Sequence, residues 1–112
     1  MSLKTKRVGS AIAREISIIL NEEARNEILK NVSITDVTVD DDLTFAKVYF
    51  MTRLEDTKEV ETALNDAAGF IRKNLAKALD LRSTPELKFV YDKSLDYVDI
   101  IDKVIEDIHE SD

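Results

Sequence analysis

Four basic residues follow a run of three small ones. Arg72, Lys73, Lys77 and Arg82 come after Ala67-Ala68-Gly69, with one acid, Asp80, among them. Cations beside a backbone without a Cβ suit a nucleic-acid phosphate backbone, which needs positive charge and close approach. The same small residues also suit a plain helix–helix packing corner, and spacing alone favours that plainer reading. A second basic group, Lys4, Lys6, Arg7 and Arg14, opens the chain. Basic side chains at a helix N-terminus oppose the macrodipole, so helix stability does not explain them. That leaves room for an anionic partner, beside the plainer reading of a solvated amphipathic helix. Lys47 and Arg53 are weaker candidates for the same work.

Other chemistries find little support. Asp40-Asp41-Asp42 offers three carboxylates, the ligand type of magnesium and calcium. The stretch lacks the ligand spacing and the glycine of a calcium-binding loop, and Asp is a good turn residue, so a hairpin turn is expected. The single histidine, His109, lies in an acidic run with no second His or Cys to share a metal. Two separate glycines cannot make a glycine-rich nucleotide loop, and neither Ser10 nor Ser94 sits in a nucleophile elbow. Binding is therefore the expected class, not catalysis, with no cofactor and no metal.

The chain has 112 residues, enough for one domain, 1–112, around one core. No Cys is present, which excludes disulfides and thiolate metal sites and fits a cytoplasmic protein. The opening MSLKTKRVGS has no apolar signal core, and no apolar run is long enough to span a membrane. Net charge is −7, which taken whole argues against nucleic acid. The acidity is local, however. Residues 92–112 hold eight acids against two lysines, whereas residues 1–91 hold 15 acids against 14 bases. A nearly neutral body can carry a basic face.

These residues must be positioned by a small set of elements. Val8, Ile12, Ile16, Ile19 and Leu20 predict a helix over residues 4–24, followed by a polar connection from Asn26 to Asn31. Gly9, early in that helix, has no evident purpose beyond allowing close packing. Two strands are predicted at 32–39 and 44–51. The first changes phase between Ile34 and Val37, as a bulge or a late start would cause. Asp56 with Glu59 makes a capping-box variant opening a helix that is interrupted at Ala67-Ala68-Gly69 and ends before Pro85. Residues 86–91 give a third strand. Asp92 or Ser94 then caps a last helix, about 94–110, with the apolar stripe Leu95, Val98, Ile101, Ile105 and Ile108 and an acidic opposite face.

At this point the chain resembles the ribosome-binding factor A family. The resemblance rests on Lys4 to Ile16 (KTKRVGSAIAREI), Asp42-Leu43, Ala46-Lys47-Val48-Tyr49, Ala67-Ala68-Gly69-Phe70-Ile71-Arg72, Leu79-Asp80-Leu81-Arg82, Pro85 to Phe89 and Tyr91 to Ser94. It implies an α+β, single-domain, type II KH-like fold, αββααβ, with a three-stranded sheet, a kinked central helix pair and an added C-terminal helix. The family's Ala-x-Gly kink takes the place of the GXXG loop that clamps RNA backbone in KH domains, here Ala67, Ala68 and Gly69. The implied partner is the small (30S) ribosomal subunit through its 16S ribosomal RNA, with ribosomal proteins a further contact. The implied work is late maturation, 5′-end processing and growth in the cold. The RNA-facing set would be Lys4, Lys6, Arg7, Arg14, Ala67, Ala68, Gly69, Arg72, Lys73, Lys77 and Arg82. A cytoplasmic monomer is expected. The competing reading is a protein-interaction module that docks through its amphipathic C-terminal helix without touching RNA.

Overall fold

A computed structural model describes residues 3–22, 26–80 and 83–93 of the chain. The elements in order are α1 (Leu3–Glu22), α2 (Glu27–Lys30), β1 (Val32–Val39), β2 (Phe45–Thr52), α3 (Thr57–Asp66), α4 (Ala68–Ala78) and β3 (Glu86–Tyr91). The predicted last helix, about 94–110, lies outside the described residues, as does Arg82.

The sheet is mixed, in the order β1-β2-β3, with β1 antiparallel and β3 parallel to β2. Its inner face is made by alternate residues. Val37 pairs with Val48 and Val39 with Ala46, while Leu87, Phe89 and Tyr91 stand beside Ala46, Val48 and Phe50. Pairing shifts between Ile34 and Asp36. That is a bulge at Thr35, and it resets the phase so that Ile34 and Val37 both face the core. Helix α1 lays Ile12, Ile16, Ile19 and Leu20 on this face, and α4 adds Ile71 and Leu75.

Gly9 acquires a purpose here. A Cβ at this position would stand 2.9 Å from the main-chain oxygen of Val37. The absent side chain is what lets α1 come down on β1. Its close approach, and not any special backbone angle, requires glycine.

The connection between α1 and β1 is more ordered than its polar composition suggests. Asn26 accepts from the Ile28 amide at 2.9 Å and caps the single turn α2, which buries Leu29. The expected hairpin turn is present at residues 40–44. Asp40 accepts from the Thr44 amide (2.8 Å), the Thr44 hydroxyl (2.8 Å) and the Phe45 amide (3.2 Å). Leu43 takes a left-handed backbone, φ 60°, to close the loop. Asp56 caps α3 by accepting from the Glu59 amide at 3.0 Å.

The break in the central helix falls at Ala67, one residue after α3 ends, and Gly69 lies inside the first turn of α4. Ala67 has φ −88° and ψ 0°, and its amide reaches both Ala63 and Leu64 oxygens at 3.1 Å. The break redirects the chain. Helix α3 runs along the free edge of β3, where the Asn65 side chain donates to the Phe89 oxygen (3.1 Å) and accepts from its amide (3.0 Å). Glu61 accepts from the Tyr91 amide at 3.2 Å. The open edge of the strand is thereby closed by side chains. Beyond Ala67 the chain moves onto the sheet's inner face, where α4 contacts β3 and α1. Helix α4 ends at Ala78, with Leu79 extended, well before Pro85. No helix among the described residues is long and apolar enough to cross a membrane.

Candidate nucleic-acid interface

The first turn of α4 has no polar head. Ala67 occupies the N-cap position and makes no side-chain capping bond. Ala68, Gly69 and Phe70 follow, and a Cβ on Gly69 would meet none of the described residues within 4 Å. This end of the helix therefore presents the small residues Ala68 and Gly69, the exposed ring of Phe70 and positive macrodipole potential to the outside. A shallow depression of about 240 Å³ adjoins it, lined by Ala68, Gly69, Arg72, Glu86 and Leu87.

The helical repeat sorts the basic residues of α4. Ile71 and Leu75 are fully buried, which points Gly69, Lys73 and Lys77 outward as an i, i+4, i+8 stripe. Arg72 lies to one side. Its Nε and Nη2 donate to the Thr84 oxygen at 3.2 and 2.8 Å, which ties α4 to the loop before β3. The guanidinium is exposed but already engaged. Sequence reasoning could not see this bond, because Thr84 is twelve residues away across an irregular turn.

Register brings the second basic group to the same end. Gly9 faces Val37 and Val39, Val39 pairs with Ala46, and Ala46 pairs with Leu87 beside the Gly69 depression. The N-terminal turns of α1 and α4 therefore stand over one end of the sheet, above strands about 10 Å apart. Lys4, Lys6, Arg7 and Arg14 are all exposed. Arg7 and Arg14, seven residues apart, point directly away from the core. Lys6 instead lines a groove of about 520 Å³ between α1 and β1, with Gly9, Ser10 and Asp36. Among the described residues the one ion pair is Lys30 with Glu27 at 3.8 Å, so none of these cations is neutralised within the described body. The basic residues form two neighbouring stripes, one per helix, not one continuous patch.

A negative boundary sits at this end as well. The 40–44 hairpin joins β1 to β2 there, with Asp41 and Asp42 bordering the loop. Asp40 is held below its usual carboxylate range, first by the Thr44 hydroxyl and then by the amides of Phe45, Thr44 and Leu43. It is ionised and committed to the turn.

The comparisons agree with the architecture. The family model for ribosome-binding factor A matches residues 4–105. The chain is 40% identical over 113 residues to ribosome-binding factor A of Staphylococcus carnosus, covering 98% of this chain and 97% of that one. The crystal structure of ribosome-binding factor A from Thermus thermophilus superposes with a TM-score of 0.70 at 18% identity, over 78% of this chain and 94% of that one. The Thermus thermophilus factor as fitted into a cryo-EM map of a 30S complex has a TM-score of 0.62 at 20% identity, over 84% and 97%.

Proposed function

The chain belongs to the ribosome-binding factor A family, and on that premise we propose that it binds the small ribosomal subunit through RNA phosphates at the paired N-terminal turns of α1 and α4. One observation carries the reading. The outward stripe Gly69, Lys73, Lys77 starts at an uncapped helix turn with open space over its glycine. It stands beside a second helix whose exposed face carries Lys4, Arg7 and Arg14. Helix N-termini and lysines favour phosphate, and the missing Cβ leaves room for a nucleic-acid backbone to come near. This is the role the GXXG loop has in KH domains, and the observed order of the two main helix–strand groups, αββααβ once the single turn α2 is set aside, is compatible with it.

The same reading makes the protein a binding factor and not an enzyme, acting in the cytoplasm on immature subunits. Support for 5′-end processing of 16S ribosomal RNA, late maturation and growth in the cold belongs to this proposal, as does a monomeric state. The relative fitted into a 30S complex supplies the analogy for the partner.

Co-sedimentation with immature small subunits over a salt series tests the site. Lys73→Glu with Lys77→Glu is the informative variant, because neither residue has a described structural bond, unlike Arg72. Loss of two phosphate contacts lowers the slope of log affinity against log salt by about two. An unchanged slope and affinity in a folded variant would refute the assignment.

A further inference from the structure

The sheet has a second face that no described element covers. It is built from the residues between the core positions: Phe45, Lys47, Tyr49 and Met51 on β2, with Glu86, Lys88 and Val90 beside them on β3, where Glu86 stands next to Phe45 at the hairpin end. Phe45 and Met51 are each 39% exposed. Lys47 and Lys88 are direct neighbours in the register, and neither has a carboxylate partner among the described residues. Two adjacent lysines repel each other and call for negative charge between or above them. We propose that this face is the docking site of the chain's own C-terminal segment, with Leu95, Val98, Ile101, Ile105 and Ile108 against Phe45, Tyr49, Met51 and Val90.

Three observations select this occupant. The first is the direction in which the chain leaves β3. Asp92 donates its amide to the Phe50 oxygen at 2.8 Å, and its carboxylate accepts from the Thr35 hydroxyl at 2.6 Å. Thr35 is the bulge residue on the opposite edge strand, so this bond reaches across β2. Ile34, Phe50 and Tyr91 fill the inner side at that level, which leaves the open face for the crossing. The bulge in β1 thus does more than reset the strand's phase: it supplies the hydroxyl that holds Asp92 back across β2.

The second is length. Fourteen residues from Leu95 to Ile108, wound as their spacing predicts, extend about 21 Å. The eight residues of β2 extend about 26 Å. One helix returning from the Tyr91 end would cover the face up to the 40–44 hairpin. The third is charge. Residues 94–112 hold seven acids and one lysine. With the apolar stripe facing down, Asp99, Asp102 and Glu106 share one flank of the helix, at the height where Lys47 and Lys88 lack partners. Docking would also place the acidic segment on the side of the sheet opposite the α1 and α4 stripes.

The chain has no cysteine, so one introduced thiol can carry a spin label in the full-length protein. With the label at His109→Cys, amide signals of Phe45, Lys47 and Thr38 should broaden, those near Tyr91 less, and those of Arg7 and Arg14 not at all. Ile101→Asp with Ile105→Asp should abolish the broadening while the remaining amide spectrum stays that of the folded body. Lys47→Glu with Lys88→Glu should weaken it strongly at low salt. Broadening of the α1–α4 face, or none in a folded protein, overturns the proposal. So does broadening that appears only when the label and the observed nuclei are on different molecules, because the occupant is then a second copy.

Discussion

The two glycines of the chain occupy helices over the same end of the sheet, in opposite surroundings. Gly9 is buried, and a Cβ there would press on the Val37 oxygen at 2.9 Å. Gly69 is exposed, and a Cβ there would touch nothing within 4 Å. Neither has a positive φ. The difference separates two uses of an absent side chain. At Gly9 the partner is inside the molecule, so the residue is explained by packing. At Gly69 no described residue comes within reach of a Cβ, and a helix position that costs roughly 0.5–1 kcal/mol relative to Ala has no packing return among the described residues. An external backbone is a return of the right kind.

The comparison is broken most directly at Gly9. Gly9→Val forces α1 away from β1, because the obstacle is a main-chain oxygen and not the end of a flexible side chain. Overpacking of this sort costs about 1–3 kcal/mol. Urea denaturation should show a lower midpoint, and because α1 carries Lys4, Arg7 and Arg14, small-subunit affinity should fall with its displacement. A variant as stable as the parent would remove the packing explanation.

Gly69→Ala should act in the reverse sense. With no neighbour to meet, the methyl group gains helix propensity and raises stability by roughly 0.5 kcal/mol. The same methyl stands where the proposed RNA backbone comes near, so affinity for small subunits should fall although the protein is more stable. Thermal denaturation and co-sedimentation on one preparation read both signs. Unchanged affinity would return Gly69 to an incidental residue of the helix turn.

What the sequence makes legible follows from how far apart interacting residues lie. Caps and turns are local, so Asp56 and the Asp40 turn can be read directly, whereas Pro85 only bounds the helix, which ends earlier, at Ala78. The core stripe of α1 and the alternation in β2 are also readable, because each obeys one period. The bulge at Thr35 shows in the broken phase of β1. The capped turn α2 leaves a trace in Asn26 followed by Glu27 and Leu29, but its single turn is too short to establish a period. Gly9 could not be explained, because its reason lies 28 residues on in Val37. The Asn65 bond that closes the β3 edge and the Arg72 bond to Thr84 are tertiary in the same way. The basic residues could be named, whereas their division into two stripes required the strand register. The helix break could be placed within Ala67-Ala68-Gly69, and the backbone puts it at the first of the three, Ala67.

The smallest expected effect belongs to the hairpin, the acidic neighbour of both glycines. Asp40 is fully exposed, so its bonds shape the loop more than they stabilise the fold. Its carboxyl is held low by the Thr44 hydroxyl and by neighbouring amides. A group with a folded-state pKa below its unfolded one gives a contribution that is complete above the ordinary value of 3.8 and disappears as pH falls through the lower folded value. Acidification below 3.8 should therefore loosen residues 40–45 before the sheet, seen as faster exchange of the Thr44 and Phe45 amides relative to Val48 after correction for the intrinsic rate. Asp40→Asn keeps an acceptor for those amides and removes the titrating charge, so it should flatten that pH dependence while leaving the turn formed. If the variant keeps the same pH profile, Asp41 or Asp42 governs the loop. Because Asn also removes one negative charge from the border of the α1–α4 face, subunit affinity should rise slightly, most visibly at low salt, where surface charges are least screened.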